Sequence, residues 1–245
     1  MSEWLFDLGN SRLKCAPLGA DGRPGEVRAH AHEGGRLAGD WLERLPARIE
    51  AAYVASVAAP ALRVALLEAL ATRAARISLA ASGRGWQGLR IAYPEPSRLG
   101  VDRFLALLAA HARGGGWLVV GVGTALTVDL LDAAGRHHGG RIAPSPTLMR
   151  EALHQRAAQL PASGGAYAAF ATDTADALAS GCLGAALGLV EQSLRAARAA
   201  CGEVPLLLHG GGAEALRAHL PGAELAPSLV LEGLARWARP GALAR

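Results

Sequence analysis

The sequence predicts an α/β protein of two lobes, each a three-stranded meander followed by alternating helices and strands. Two observations support this prediction: the same order of elements occurs twice, and a flexible glycine run at 114–116 separates the two occurrences. A chain of 245 residues with 51% hydrophobic and 19% charged residues has enough apolar material for two such lobes. We therefore predict an N-terminal lobe over residues 1–113 and a C-terminal lobe over residues 114–245.

Apolar periodicity and turn residues predict the elements of the first lobe. The pair Gly9-Asn10 tolerates positive φ at both positions and is typical of a two-residue hairpin turn. Pro60 suits the first turn of a helix, whereas Pro46 would break or kink one. In order, the predicted elements are strands over 4–7, 11–18 and 26–30, a helix over 37–50, a strand over 52–57, a helix over 60–73, a strand over 75–79 and a helix over 101–113.

The second lobe repeats this order and ends with further helices. The predicted elements are strands over 117–121, 124–131 and 136–143, helices over 147–160 and 174–200, a strand over 204–209, and helices over 213–219 and 229–238. The apolar stretch 177–190 is too short to span a bilayer and better suits a buried helix. Its small residues, Ala177, Gly181, Gly184 and Gly188, share one face, which permits close packing either against a second copy or within one subunit.

Composition excludes several classes of function. The net charge of +4 is spread along the chain without a block of five like charges, so no nucleic-acid interface is indicated. The three cysteines are widely spaced and form no C-x-x-C motif, which indicates reduced thiols rather than a metal cluster. We expect no signal peptide and a cytoplasmic protein without a membrane partner.

A single lysine among 25 basic residues points to phosphate chemistry. Lys14 lies on the second predicted strand, and Asp7 lies at the end of the first, beside the glycine turn. An ammonium acts as a point charge on phosphate, and a carboxylate beside free backbone N–H groups can hold a metal-bound water and a triphosphate. The alternatives are a chance position for the lysine and an ordinary solvated hairpin.

Three further segments suggest ligand contacts. The predicted turn Gly121–Ala125 can present backbone N–H groups and the Thr124 hydroxyl to a phosphate, and the strand-to-helix turn His209–Ala213 allows a close backbone approach. Gly100–Arg103 opens a helix with a carboxylate and a guanidinium, which suits a base beside an anion-binding group. Each segment also has a plain structural explanation as a hairpin, a tight turn or a helix cap.

Together these motifs resemble the type III pantothenate kinases, some of which are known as accessory transcription factors. The matching stretches are Asp7–Lys14, Gly100–Arg103, Gly123–Asp129, Gly139–Met149 and Thr174–Gly181. The resemblance implies the actin-like ATPase fold with two ribonuclease-H-like lobes, and a homodimer. It also implies ATP-dependent phosphorylation of pantothenate to 4′-phosphopantothenate, the first step of coenzyme A biosynthesis.

The resemblance also implies roles for individual residues. Asp102 is the expected base, and Asp7 is expected to hold Mg²⁺ through water. The expected ATP-binding residues are Asp7, Leu8, Gly9, Asn10, Ser11, Arg12, Leu13, Lys14, Thr124, Gly211 and Gly212. The expected pantothenate-binding residues are Tyr93, Gly100, Val101, Asp102, Arg103 and Thr174.

One position departs from the family pattern in a way that bears on activity. Gly121 stands where the family has an aspartate that helps bind K⁺ or NH₄⁺, and Ser145 stands where the family has glycine. If Thr124 lies opposite Gly121, Asp129 is five residues further along its strand, or about 16 Å away, too far to substitute.

Two hypotheses follow from this departure. One is an active kinase with an altered or absent cation requirement. The other is a weak or inactive kinase-like protein that serves as a nucleotide-binding or regulatory partner. Among active kinases, a sugar or acetate kinase is the alternative to a pantothenate kinase.

Overall fold

The computed structural model describes residues 2–33, 36–37, 40–157 and 159–239. Contacts divide the chain into two compact units. Unit 1 comprises the chain up to Gly114, the segment Gly135–His137 and the chain from Ser228 onward. Unit 2 comprises Gly115–Ala134 and His138–Pro227.

The secondary structure follows the predicted α/β order closely. In chain order the strands are β1 (Glu3–Leu8), β2 (Arg12–Leu18), β3 (Arg28–Glu33), β4 (Arg36–Leu37), β5 (Ile49–Ser56), β6 (Ala74–Leu79), β7 (Gly85–Trp86), β8 (Leu89–Arg90), β9 (Trp117–Val122), β10 (Ala125–Leu131), β11 (His137–Pro144), β12 (Leu206–His209) and β13 (Glu224–Leu225). The helices are α1 (Pro60–Ala71), α2 (Val101–His111), α3 (Pro146–Arg156), α4 (Thr174–Cys201), α5 (Ala213–Arg217) and α6 (Leu229–Ala238), with a short 3₁₀ helix at Pro96–Arg98.

Unit 1 contains a sheet in the order β4-β3-β2-β1-β5-β6. The meander β1-β2-β3 is antiparallel, whereas β5 runs parallel to β1 and β6 runs parallel to β5. Helix α1 begins at Pro60, whose missing N–H costs nothing in a first turn, and buries Leu62, Leu66 and Leu70 against this sheet. Helices α2 and α6 pack together, and Gly233 permits a close approach to the backbone of Leu105.

Unit 2 contains a sheet in the order β11-β10-β9-β12-β13. Strand β12 runs parallel to β9, and β13 runs parallel to β12, so a meander again precedes parallel strands. Apolar residues of β9, β10 and β12 form one core with the buried face of α4. The repeated meander and the parallel strands confirm the predicted α/β fold class with two ribonuclease-H-like arrangements.

Helix α4 is long and apolar, yet it is only partly buried. By length and composition alone it could cross a membrane. Its most apolar 18-residue stretch has a mean hydropathy of 1.3, and 28% of that stretch is buried. Ala186, Val190 and Ala197 belong to the unit 2 core, and Leu178 and Cys182 are buried as well, as a buried helix would require. The expectation of a buried helix therefore holds for this one face, and much of the rest of α4 is accessible.

The predicted helix over 37–50 is wrong. Residues 38–39 lie outside the described part of the chain, 40–45 form turns, and β5 has already begun at Ile49. Trp41 and Leu45 are four residues apart and both buried, so a single turn satisfies the apolar pattern that suggested a helix. Pro46 cannot supply the N–H that a continuing helix requires, and the chain extends into the sheet instead.

Candidate active site

The first predicted site element is the β1–β2 hairpin of unit 1. Asp7 pairs with Lys14 across the two strands, and Leu8 pairs with Leu13 as the last pair before the turn. Neither Gly9 nor Asn10 has a positive φ, so the predicted two-residue turn is wrong. The loop is instead closed by the Gly9 N–H, which donates to the carbonyl of Arg12 over 3.0 Å.

The eight residues of this hairpin differ in what they can offer a ligand. Asn10, Ser11 and Arg12 are exposed at the loop. The side chains of Leu8 and Leu13 are fully buried in the core, so only their backbone groups could reach a nucleotide. His32 donates from Nε2 to the Gly9 carbonyl over 2.9 Å and fixes the loop from the third strand.

Asp7 has a strongly perturbed acidity. Burial raises the pKa of its carboxyl to about 7; repulsion from Asp102 acts in the same direction, and attraction from Lys14 acts against both. The two carboxylates that sequence analysis assigned to separate motifs therefore interact within unit 1. A divalent cation bound through water to Asp7 would relieve both the burial of this carboxylate and its repulsion from Asp102.

Asp102 lies in the first turn of α2. Gly100 occupies the N-cap position without a side-chain cap, and Asp102 Oδ1 accepts from the backbone N–H of Arg103 over 2.8 Å. A Cβ on Gly100 would stand 2.5 Å from Asp102 Oδ1, so the glycine makes room for the carboxylate. Asp102 is therefore not the N-cap residue. It lies within the first turn, where the helix dipole attracts a negative charge.

The guanidinium of Arg103, the ring of Tyr93 and the ring of His137 stack beside this helix. Arg103 is buried, its guanidinium carbon lies 5.8 Å from the centre of the Tyr93 ring, and its Nη1 donates to the Tyr93 hydroxyl over 3.3 Å. The His137 ring stacks on Tyr93 with centroids 6.0 Å apart. The structure thus joins Tyr93 to Arg103 as predicted. Sequence analysis missed His137, because nothing in its spacing links it to Tyr93.

The second predicted element is the β9–β10 turn of unit 2. Val122 pairs with Leu126, so the loop consists of Gly123, Thr124 and Ala125, with a Gly123 N–H bond to the Ala125 carbonyl of 2.9 Å. The residue opposite Gly121 is consequently Thr127. The assumption that Thr124 lies opposite Gly121 is therefore wrong. The buried pair Val122 and Leu126 fixes this register, and matching those apolar positions would have predicted it.

This corrected register brings a carboxylate nearer to Gly121. Asp129 is buried, lies two residues beyond Thr127 on the same face of β10, and pairs with Val119. The separation along the strand is about 7 Å rather than the 16 Å expected. Asp129 is engaged in other interactions.

The glycine turn after β12 lies directly on the β9–β10 turn. The Gly212 N–H donates to the Val122 carbonyl over 3.0 Å. Gly210 has a φ of 94°, and a Cβ there would collide with the Val122 backbone. Gly211 lies between these two contacts and is exposed. Two segments predicted separately therefore form one glycine-lined surface, in which only glycine permits such close packing.

Side chains of two flanking strands converge over Gly121. Thr127 of β10 and His209 of β12 both pair with Gly121, so the three residues form one row across the sheet. A Cβ on Gly121 would stand 2.6 Å from Thr127 Oγ1 and 2.8 Å from His209 Nε2. The space that a larger residue would need at position 121 is already occupied by these side chains.

Two other predicted positions lie at helix starts in unit 2. Ser145 is buried and caps α3, where its hydroxyl accepts from the Leu148 N–H over 3.2 Å, and its own N–H donates to the Thr124 carbonyl. Thr174 is the first residue of α4, exposed and preceded by the N-cap Asp173. Within the described residues of unit 2, no hydrogen bond or ring contact joins Thr174 to the glycine turns.

Comparison with known proteins identifies the family of this chain. The family model for type III pantothenate kinase matches residues 4–196. The chain belongs to the type III pantothenate kinase family. It is 59% identical over 239 residues to the type III pantothenate kinase of Stenotrophomonas maltophilia strain R551-3, covering 97% of this chain and 98% of that protein. It is 57% identical over 240 residues to the enzyme of Xanthomonas campestris pv. campestris strain B100, with the same coverage.

Solved structures share the fold at low sequence identity. A protein from Campylobacter jejuni described as a Baf family transcriptional activator aligns with a TM-score of 0.65 at 18% identity, over 97% of this chain and 98% of that chain. The activator of 2-hydroxyisocaproyl-CoA dehydratase from Clostridium difficile, solved with ADPNP, aligns with a TM-score of 0.58 at 12% identity, over 97% and 94%. These likenesses confirm the actin-like ATPase fold of the pantothenate kinase family.

Proposed function

We propose that this chain transfers the γ-phosphoryl group of ATP to pantothenate and forms 4′-phosphopantothenate, the first step of coenzyme A biosynthesis. The observation that carries the proposal is the site of unit 1, in which Asp7, Lys14 and Asp102 interact, combined with 59% identity to a type III pantothenate kinase. No observation favours the alternatives of an idle regulatory protein or of a sugar or acetate kinase.

Asp102 acts as the base. The pantothenate hydroxyl oxygen forms a bond to the γ-phosphorus as the bond to the β,γ-bridging oxygen breaks, ADP leaves, and Asp102 accepts the hydroxyl proton. Asp102 lies in the first turn of α2, where a carboxylate is placed to accept that proton. Asp7 would hold Mg²⁺ through water, and that ion would supply positive charge to the phosphates in addition to the charge of Lys14.

Arg103 and Tyr93 hold the substrate. The guanidinium is fixed by the Tyr93 hydroxyl and ring, so it can pair with the carboxylate of pantothenate without losing much rotational freedom on binding. Gly100, Val101 and Thr174 complete the pantothenate contacts. Asn10, Thr124, Gly211 and Gly212 complete those to ATP, together with the remaining residues of the 7–14 hairpin.

The proposal is tested by ATP-dependent formation of phosphopantothenate, followed by ADP release and by mass spectrometry of the product. Asp102→Asn keeps the shape of the side chain and is expected to lower kcat by roughly 10²–10⁴-fold. Glu68→Gln, an exposed carboxylate of α1, is the matched control and should leave kcat unchanged. Full activity in Asp102→Asn, or no phosphopantothenate from the wild type, would contradict the proposal.

Tyr93→Phe tests the substrate assignment separately. Loss of the hydroxyl removes the 3.3 Å contact from Arg103 but leaves the ring in place. We expect the KM for pantothenate to rise by roughly 3- to 10-fold, as one hydrogen bond to a charged group is lost, while the KM for ATP stays unchanged. An equal rise in both constants would argue against a specific role in pantothenate binding.

We further propose that the accessible face of α4 packs against a second copy of the chain, as a cytoplasmic homodimer. Apart from the adjacent residues and backbone of α4 itself, no described atom lies within 4 Å of a Cβ built on Gly181, Gly184 or Gly188, and Phe170 is 97% exposed nearby in sequence. Gly184→Glu should convert a dimer to a monomer in light scattering after size-exclusion chromatography, whereas Glu68→Arg on α1 should not. A monomeric wild type, or detergent-dependent solubility, would contradict this.

A further inference from the structure

The residues around Gly121 do not fit the monovalent cation that family resemblance implies. The two side chains over this glycine offer one hydroxyl oxygen, from Thr127, and one imidazole nitrogen, from His209. Alkali cations take several oxygen ligands, and neutral imidazole suits transition metals instead. The carboxylate in the adjoining row, Asp129, belongs to the pair with Val119 and lies about 7 Å along the strand from the row of Gly121.

Glycine at position 121 is also tied to the histidine. A Cβ there would stand 2.8 Å from His209 Nε2 and 3.0 Å from His209 Cε1, closer than real Cβ contacts. These contacts come from ring atoms, so the ring must turn away before any side chain fits at 121. An aspartate at 121 and a histidine at 209 in its present position therefore exclude each other. Glycine at 121 is thus coupled to histidine at 209, and the absence of the aspartate is not an independent change.

His209 is placed to act on a nucleotide. It is the last residue of β12 and leads directly into the 210–212 glycine turn, and its partner Gly121 leads directly into the β9–β10 turn that carries Thr124. The two turns are joined by the Gly212-to-Val122 hydrogen bond, and His209 directly precedes one of them, so we expect a phosphate bound on this surface to come within reach of the His209 ring. An imidazole N–H donates to phosphate oxygen, and an imidazolium adds a positive charge.

We infer that His209 is a nucleotide-binding residue that takes the place of the monovalent cation, and that this enzyme binds ATP and turns over without K⁺ or NH₄⁺. The inference rests on the proposed kinase function for its nucleotide, and it concerns residues of unit 2 only. The role of Gly121 is to leave room for the imidazole ring of His209.

The test measures ATP binding by calorimetry, with K⁺ and with tetramethylammonium at equal ionic strength. This readout does not require turnover, so it separates the inference from a failure of the pantothenate assignment. In the wild type the Kd for ATP should agree within about 2-fold between the two salts. A Kd that falls 10-fold or more when K⁺ replaces tetramethylammonium would overturn the inference.

Substitutions then test the histidine directly. His209→Ala should raise the Kd for ATP about 10-fold, the size expected for one charge-assisted hydrogen bond. The control His219→Ala removes an exposed histidine of the same unit and should leave the Kd unchanged. An unchanged Kd in His209→Ala, with its fold verified by circular dichroism, would overturn the inference.

A double substitution tests the coupling between the two positions. Gly121→Asp alone should lower the Tm and weaken ATP binding, because the new side chain meets the ring. Gly121→Asp with His209→Thr removes the ring, so that only the Thr127 hydroxyl has to rotate away from the new side chain, and this variant should bind ATP at least 5-fold more tightly in K⁺ than in tetramethylammonium. If Gly121→Asp alone gained K⁺-dependent binding at the wild-type Tm, the two residues would not be coupled, and the inference would fail.

Discussion

The raised pKa of Asp7 has a measurable effect on how the stability of the protein depends on pH. Its pKa is about 7 in the folded protein, against an ordinary value of 3.8 that we take for the unfolded chain. The unfolded state thus loses this proton first, and the wild type loses stability as the pH rises from about 4 through 7. At 1.36 kcal/mol per pKa unit, the loss amounts to about 4 kcal/mol in full, of which about 2.5 kcal/mol falls between pH 5 and pH 8.

Asp7→Asn removes this loss, because the amide does not titrate. The difference in free energy of unfolding between the variant and the wild type is measured by urea unfolding without Mg²⁺ or nucleotide. This difference should shift by about 2.5 kcal/mol in favour of the variant when the pH is raised from 5 to 8. Asp102→Asn in the wild-type background should lower the Asp7 pKa, as seen in a carboxyl ¹³C NMR titration, without restoring it to 3.8, because burial is the larger cause. Parallel pH profiles for Asp7→Asn and the wild type would refute the reasoning.

Two further predictions concern packing and charge in unit 1. Gly233→Ala should cost about 1–3 kcal/mol of unfolding free energy, since the new Cβ meets the Leu105 backbone. The control is Gly83→Ala, whose Cβ has 3.9 Å of clearance. Equal Tm values for the two variants would contradict this prediction. Arg239→Ala should cost about 1–3 kcal/mol at pH 7, because Arg239 donates to Glu3 over 2.6 Å and lowers the Glu3 pKa below 4.5. This second cost should shrink as the pH falls below 4.5 and Glu3 protonates, and a pH-independent cost in urea unfolding would be the contrary result.

The order of elements could be predicted from the sequence because each element carries a local signal. Leu62, Leu66 and Leu70 at helical spacing predict α1, and the structure buries all three. The helix predicted over 37–50 failed because Trp41 and Leu45 satisfy the same spacing within one turn. Short strands such as β13 have no periodicity to detect, since two residues cannot establish a period.

The site was predictable as separate motifs, but its pairings were not. Asp7 and Asp102 are 95 positions apart, and only the folded chain shows that their charges interact. The register that places Thr127 beside Gly121 depends on a loop one residue longer than a tight hairpin turn, which Gly123 and Thr124 do not announce. Stacking and strand register are products of tertiary packing, so composition and spacing leave them open.

The return of α6 to unit 1 affects the order in which the chain can fold during synthesis. Unit 2 ends at Pro227, so its segments have all been made before α6 is translated. Helix α2, made far earlier, packs against α6 in the folded protein, with the backbone of Leu105 beside Gly233. The nascent chain therefore carries an uncovered apolar surface on α2 until its last helix emerges, a period in which it is open to chaperones and to aggregation.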